Sequence, residues 1–94
     1  RWLNEARLDL RDIFEFISRD SERYAQRQVI RILERTEILF DQLRAGKIVE
    51  EINNPQIREL VEGNYRIIYR IIDEKTVDIL MIHHGARDLS RRIK

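Results

Sequence analysis

Apolar residues recur along the first half of the chain at three- and four-residue intervals. From Asn4 to about Ser18, the residues Ala6, Leu10, Ile13, Phe14 and Ile17 fall on one face of a helix. Asn4 offers a side-chain oxygen to the free N–H groups of the first turn, and Glu5 complements the positive end of the helix dipole. Asp20 and Ser21 interrupt this helix and provide caps for a second. Ala25, Val29, Ile32, Thr36, Leu39, Phe40 and Leu43 carry that second helix to about Leu43, with Ile30, Leu33 and Ile38 widening its stripe. So short a connection predicts an antiparallel helical hairpin. Trp2 and Leu3, ahead of the hairpin, read as the tail of a strand. The chain opens on Arg1 rather than Met, so the expectation is that a short leading segment, holding the beginning of that strand, is missing.

After the helices the period changes. Gly46 suits a left-handed helix C-terminus, and the stretch up to Gln56 reads as loop because Asn53-Asn54-Pro55 opposes both helix and strand. Ile57–Val61, Tyr65–Ile72 and Thr76–His84 are rich in β-branched and aromatic residues, and Glu62-Gly63-Asn64 and Asp73-Glu74-Lys75 separate them as turns. Three such strands predict an antiparallel meander. The runs Ile67-Ile68 and Ile79-Leu80-Met81-Ile82 break strict alternation, which implies that both sheet faces are covered. The helical hairpin covers one face, and the other needs a second cover. The pattern is α+β: an N-terminal strand, an antiparallel helical hairpin, a three-stranded antiparallel meander and a short basic C-terminal tail.

Composition narrows the function. Ninety-four residues are expected to form one domain over 1–94, because a chain of this length has only enough apolar surface for one core. Charged residues make up 37% of it, well above the ~25% of an average domain, so the surface is densely charged. Yet 18 Lys and Arg stand against 17 Asp and Glu, and a net charge of +1 gives no general attraction to nucleic acid or to an anionic membrane. Any electrostatic targeting must be local. The absence of cysteine excludes disulfides and thiol chemistry. No apolar run approaches the ~18–20 residues of a membrane span and no signal peptide is evident, so a cytoplasmic protein is expected. His83 and His84 are adjacent and point to opposite faces of a strand, and the three glycines lie far apart. Neither a metal site nor a phosphate loop is expected, and no cofactor.

Four separated motifs carry a likeness that spans nearly the whole chain. Trp2, Ala6, Asp9 and Leu10 open it, and Arg58-Glu59-Leu60 follows. Gly63-Asn64-Tyr65-Arg66-Ile67-Ile68-Tyr69 comes next, then Ile82-His83-His84-Gly85-Ala86-Arg87-Asp88-Leu89. In this order they resemble the RelE/ParE toxin superfamily of type II toxin–antitoxin systems, and the Arg-Glu, Tyr-Arg-Ile-Ile-Tyr and His-Gly-Ala-Arg set is closer to its ParE branch. The resemblance implies the same strand, helical hairpin and sheet. It also implies a cognate antitoxin whose disordered C-terminal segment folds over the toxin and blocks its active surface, giving a toxin–antitoxin hetero-oligomer.

The resemblance implies one of two targets. ParE-like members poison DNA gyrase without a known hydrolytic chemistry of their own, whereas RelE-like members cut messenger RNA on the ribosome. Cutting RNA through its 2′-hydroxyl requires a base, a cation for the phosphorane and an acid for the leaving oxygen. Arg66, His84 and Arg87 are the residues that would share those catalytic tasks. RNA-cutting relatives tend to carry clustered lysines or a carboxylate on the middle strands and a Tyr or His beyond the last strand. This chain has neither, and its tail beyond His84 is Gly85-Ala86-Arg87-Asp88-Leu89-Ser90-Arg91-Arg92-Ile93-Lys94. Gyrase poisoning is therefore the favoured reading, with Arg87, Arg91 and Arg92 as target contacts. An inactive antitoxin-binding remnant is a third.

Each residue also has a structural reading. Arg66 and Arg70 alternate on one side of their strand and can pair with Glu59 and Asp78 across the sheet. His84 can cap the strand end, and Arg87 can anchor the tail through a carboxylate. Arg19, Arg23, Arg27, Arg31 and Arg35 follow one another at four-residue intervals, where like charges repel slightly. That stripe is either a solvated face or the seat of an acidic antitoxin segment on Arg23, Arg27 and Arg31.

Overall fold

The computed structural model describes residues 1–93. Helix α1 (Asn4–Ser18) begins one residue earlier than a cap at Asn4 requires: Leu3 is the N-cap, in extended conformation and without a capping side chain. The backbone of Leu3 is already engaged, because Arg1–Leu3 runs beside the sheet. Leu3 N–H donates to Ile79 O at 3.0 Å, and Ile79 N–H donates to Arg1 O at 2.7 Å. Trp2 thus makes a parallel bridge to Ile79. Helix α2 (Glu22–Arg35) starts at Ser21, whose Oγ accepts from Tyr24 N–H at 3.2 Å. It does not continue as an α-helix to Leu43. From Thr36 to Phe40 it tightens into a 3-10 helix, with Thr36 Oγ1 donating back to Leu33 O at 2.7 Å. Leu39 is thereby buried while Phe40 is left 89% exposed.

The sheet has four antiparallel strands in the order β1-β2-β3-β4: Lys47–Ile48, Ile57–Glu62, Tyr65–Asp73 and Thr76–His84. The meander is as the sequence predicts, but the expected loop after Gly46 contributes the edge strand β1, in which Lys47 pairs with Glu59 and Ile48 with Arg58. Gly63, at φ +57°, makes the β2–β3 turn in a conformation that few other residues adopt.

Both faces of the sheet are covered. Ile67, Tyr69 and Ile71 of β3 face the helices and pack with Ala6, Ile32 and Leu39. Ile68 and Met81 face the other way, onto Val49 from the β1–β2 connection and Leu89 from the tail. The run Ile79-Leu80-Met81-Ile82 is compatible with both faces because the register slips: Ile68 lies opposite Met81, but Tyr69 lies opposite Ile79. Leu80 is the extra residue, so Ile79 and Ile82 both reach the helix-facing core.

Gly46 has no positive φ, contrary to the expectation of a left-handed cap. It is needed for space. A Cβ there would lie 2.5 Å from Glu59 O and 2.8 Å from the Tyr69 ring. The Tyr69 hydroxyl accepts from Gly46 N–H at 3.0 Å and donates to Leu43 O at 2.7 Å. One fully buried side chain thus pins the helix exit to the middle of β3. Tyr69→Phe leaves that donor and that acceptor unpaired. It should destabilise the fold by about 1–3 kcal/mol, read as a lower urea midpoint in far-ultraviolet circular dichroism.

Candidate functional site

Arg66 projects from β3 to the face away from the helices, and four of its five guanidinium N–H groups are engaged. Nε donates to Glu59 Oε1 at 3.1 Å and Nη2 to Glu59 Oε2, while Nη1 and Nη2 reach Glu51 Oε2 and Oε1 at 2.7 and 2.9 Å. Two carboxylates grip adjacent edges of one guanidinium and share its Nη2, one from β2 and one from the β1–β2 connection. Glu59 is 4% exposed, so it depends on this partner for its charge. The same hydrogen bonds lower the Glu51 carboxyl from 4.5 to about 2 and push the Arg66 guanidinium further up. The trio carries a net charge of −1, and Arg66 keeps a single Nη1–H, without the paired donors of a bidentate phosphate grip. Arg70 stands opposite Asp78 in the register, but Asp78 is taken by Arg1, whose Nε lies 2.9 Å from its Oδ1.

The two histidines separate. His83 lies opposite Arg66 and is buried, its Nε2 3.0 Å from Arg87 O. His84 turns to the helix side and meets Tyr65 edge to face, with ring centroids 5.4 Å apart. Its Nδ1 accepts from Ala86 N–H at 3.1 Å, so it does cap the turn that leaves β4, and its neutral ring then carries the proton on Nε2. Arg66 and His84 therefore occupy opposite faces of the sheet and do not converge. Arg87 is exposed, and among the described residues no carboxylate lies within ion-pair distance of it.

The tail is anchored instead by Arg92. Its guanidinium pairs with Asp9 of α1, reaches Glu5 at 3.3 Å and donates to Ile82 O at 3.3 Å. Asp9 in turn accepts from Ile82 N–H at 2.9 Å. A carboxylate and a guanidinium thus bond the open edge of β4 where a fifth strand would. Arg92, expected as a target contact, is committed to this pairing. Arg91 is exposed and 4.0 Å from Asp88. Asp9 belongs to the opening motif, yet nothing in its spacing announces that it satisfies a strand edge.

Two concavities flank α1. One, of about 490 Å³, lies over the helical hairpin and is lined by Trp2, Leu10, Phe14, Val29 and Leu33, with Arg7 and Arg11 at its rim. Arg23, Arg27 and Arg31 are exposed on α2 and do not line it, and Arg27 stacks 5.7 Å from the Tyr24 ring centroid. The other, of about 580 Å³, lies between α1, the ends of β3 and β4 and the tail. Among the described residues no cluster of three or more His, Asp or Glu residues could hold a metal ion.

The Arg66 clamp generates two expectations. Arg66→Ala strands Glu59 as a buried unpaired charge and should cost about 3–5 kcal/mol, so any loss of function in that variant should track a lower melting temperature. The clamp also sets an acid limit. Because the folded-state carboxyl of Glu51 titrates below its unfolded value, its contribution is complete above pH 4.5 and is lost as pH falls toward 2. Urea titrations between pH 6 and 2.5 should show stability falling below pH 4.5, and less steeply in Glu51→Gln; equal slopes would contradict the clamp.

A family model described as the ParE toxin of the type II toxin–antitoxin system parDE matches residues 1–89. Among solved structures, a chain of the chromosomal ParDE toxin–antitoxin system from P. aeruginosa superposes with a TM-score of 0.69 at 22% identity. That superposition covers 88% of this chain and 90% of the other, and at such identity it speaks for the fold. The search among curated proteins gave no match. With the family match running from the strand-like N-terminus through the His-Gly-Ala-Arg turn, the chain belongs to the ParE toxins of type II toxin–antitoxin systems.

Proposed function

We propose that this toxin arrests growth by inhibiting DNA gyrase, and that a cognate antitoxin silences it by seating an amphipathic segment in the groove between α1 and α2. The observation that carries the choice of target is the Arg66 clamp. Transition-state stabilisation of a cleaving phosphodiester requires an uncommitted cation aimed at the developing charge. Arg66 is neutralised twice over by Glu51 and Glu59. His84, the candidate acid or base, stands on the opposite sheet face from it. The RelE-like set of Arg66, His84 and Arg87 does not form a converging site, and a protein target needs none.

The antitoxin reading draws on the groove. Its floor is apolar, Leu33 and the neighbouring Ile30 are 41% and 52% exposed, and its two rim residues are arginines. Such a groove suits a helix with one apolar and one acidic face. Arg23, Arg27 and Arg31, exposed on α2, would then add longer-range attraction for the same acidic segment rather than form its seat. No described helix is long and apolar enough to cross a membrane.

A supercoiling assay with purified DNA gyrase tests the proposal. The protein should inhibit supercoiling or trap cleaved DNA, and the product of the neighbouring gene should relieve that effect when mixed with it beforehand. Unaffected gyrase with cleaved messages in arrested cells would assign the chain to the RelE-like mode, and expression without any growth defect would make it an inert antitoxin-binding partner.

A further inference from the structure

We infer that the cleft between α1 and the C-terminal tail is where the toxin grips its target, and that its occupant is a polypeptide segment carrying an acidic residue beside an apolar one. The inference rests on the proposed reading of the chain as a toxin with a protein target. A stripe along α1 and its C-cap forms the first wall: Asp12, Phe16 and the C-cap Arg19 stand four and three residues apart, on a different side from Arg7, Leu10 and Phe14 of the hairpin groove. The Tyr65–His84 pair lies at the strand ends, and Arg87 lines the tail side.

The cleft gathers uncommitted groups of both signs around an exposed aromatic ring in one concavity. Arg1, Arg66 and Arg92 are all paired with carboxylates. Among the described residues Arg19, Arg87 and Asp12 have no ion-pair partner, and Glu15 has only a 3.9 Å contact with Arg11. Phe16 is 66% exposed at the cleft, with the Arg19 guanidinium 5.8 Å from its ring centroid. The charge of Arg87 acts on the Tyr65 hydroxyl, opposing the upward shift that burial gives it. With Nδ1 of His84 occupied by Ala86 N–H, its Nε2–H remains as a further donor. The cleft thus offers cationic donors, an aromatic surface and carboxylates within one concavity.

That mixture selects the occupant. With Asp9 and Arg92 paired to each other, Asp12 and Glu15 offset Arg19 and Arg87, so a run of phosphates gains no net attraction and a nucleic-acid strand is a poor fit. A polypeptide matches both signs: an acidic side chain on Arg87, a basic one near Asp12, and an apolar one against Phe16 and Tyr65. The walls are also preformed. Leu89 is 1% exposed and Arg92 is bound to Asp9, so the tail keeps its position without an occupant, and less ordering accompanies binding.

The test uses the whole chain with Phe16→Ala and Arg87→Glu combined, and separately with Asp12→Lys, all at surface positions, with circular dichroism to verify the fold. Growth arrest on induced expression is measured beside the affinities for purified gyrase subunits and for the neighbouring-gene antitoxin. The expected result is loss of growth arrest and about tenfold or greater weakening toward gyrase, with antitoxin affinity unchanged. Folded variants that arrest growth like the parent overturn the inference, as does a loss of antitoxin affinity that parallels the loss of toxicity. If the parent ignores gyrase and cleaves messages, and the variants stop doing so, RNA rather than a polypeptide is the occupant and the inference fails. If the parent ignores gyrase and cuts no RNA, yet the variants lose toxicity, the cleft stands and only the choice of gyrase falls.

Discussion

The outer edge of β4 is the constraint from which the rest of this structure follows. An unpaired strand edge leaves N–H and C=O groups without partners and invites association with other chains. Here three different pieces of the chain bond it in turn. The N-terminal backbone pairs with Ile79, the Asp9 carboxylate accepts from Ile82 N–H, and Arg92 donates to Ile82 O. Because Asp9 and Arg92 also pair with each other, one cluster fixes the position of α1 from one side and of the tail from the other. Both concavities beside α1 exist in their observed shapes because that helix is held against the strand edge.

A second carboxylate–guanidinium cluster, on the far face of the sheet, determines what chemistry is left. Glu59 is nearly inaccessible and needs a cation; Arg66 supplies it and is then also bound by Glu51. This arrangement ties the β1–β2 connection down over Ile68 and Met81, and so helps to cover the second sheet face. The same bonds commit Arg66, the residue of the RelE-like candidate set that lies on this face. The cover of the second sheet face and the commitment of Arg66 therefore depend on the same three side chains.

Much of this was legible in the sequence, and the illegible parts have specific causes. Helical periodicity located α1, and β-branched content with turn residues located β2, β3 and β4, because those signals are local. The pairing of Arg66 with Glu59 could be foreseen as a cross-strand contact, but Glu51 could not, since it enters from a stretch with no periodicity at all. β1 escaped notice because two residues carry no pattern, and its existence depends on Glu59 and Arg58 being near. The second helix read as continuous because Leu39, Phe40 and Leu43 keep helical spacing, whereas Thr36 tightens the backbone and turns Phe40 out to solvent. Gly46 is a special position through its close approach to Tyr69 and not through a left-handed backbone, a distinction that needs the tertiary contact. Arg92 looked like one more residue of a basic tail until the fold brought it to Asp9, 83 positions away in sequence.

The position of α1 between two unlike concavities also bears on how neutralisation would work. Its Leu10 and Phe14 face the apolar groove, while Asp12 and Phe16 face the charged cleft, and Asp9 anchors the helix between them. A partner seated in the groove, as proposed, would press on the same helix that forms one wall of the cleft. A displacement of α1 would stretch the bond from Asp9 to Ile82 N–H and its pairing with Arg92 together, since both converge on the same carboxylate oxygen. The tail wall would lose its anchor in the same movement. On the proposed reading, an antitoxin in the groove would alter the cleft without entering it, through a charged contact that both walls share.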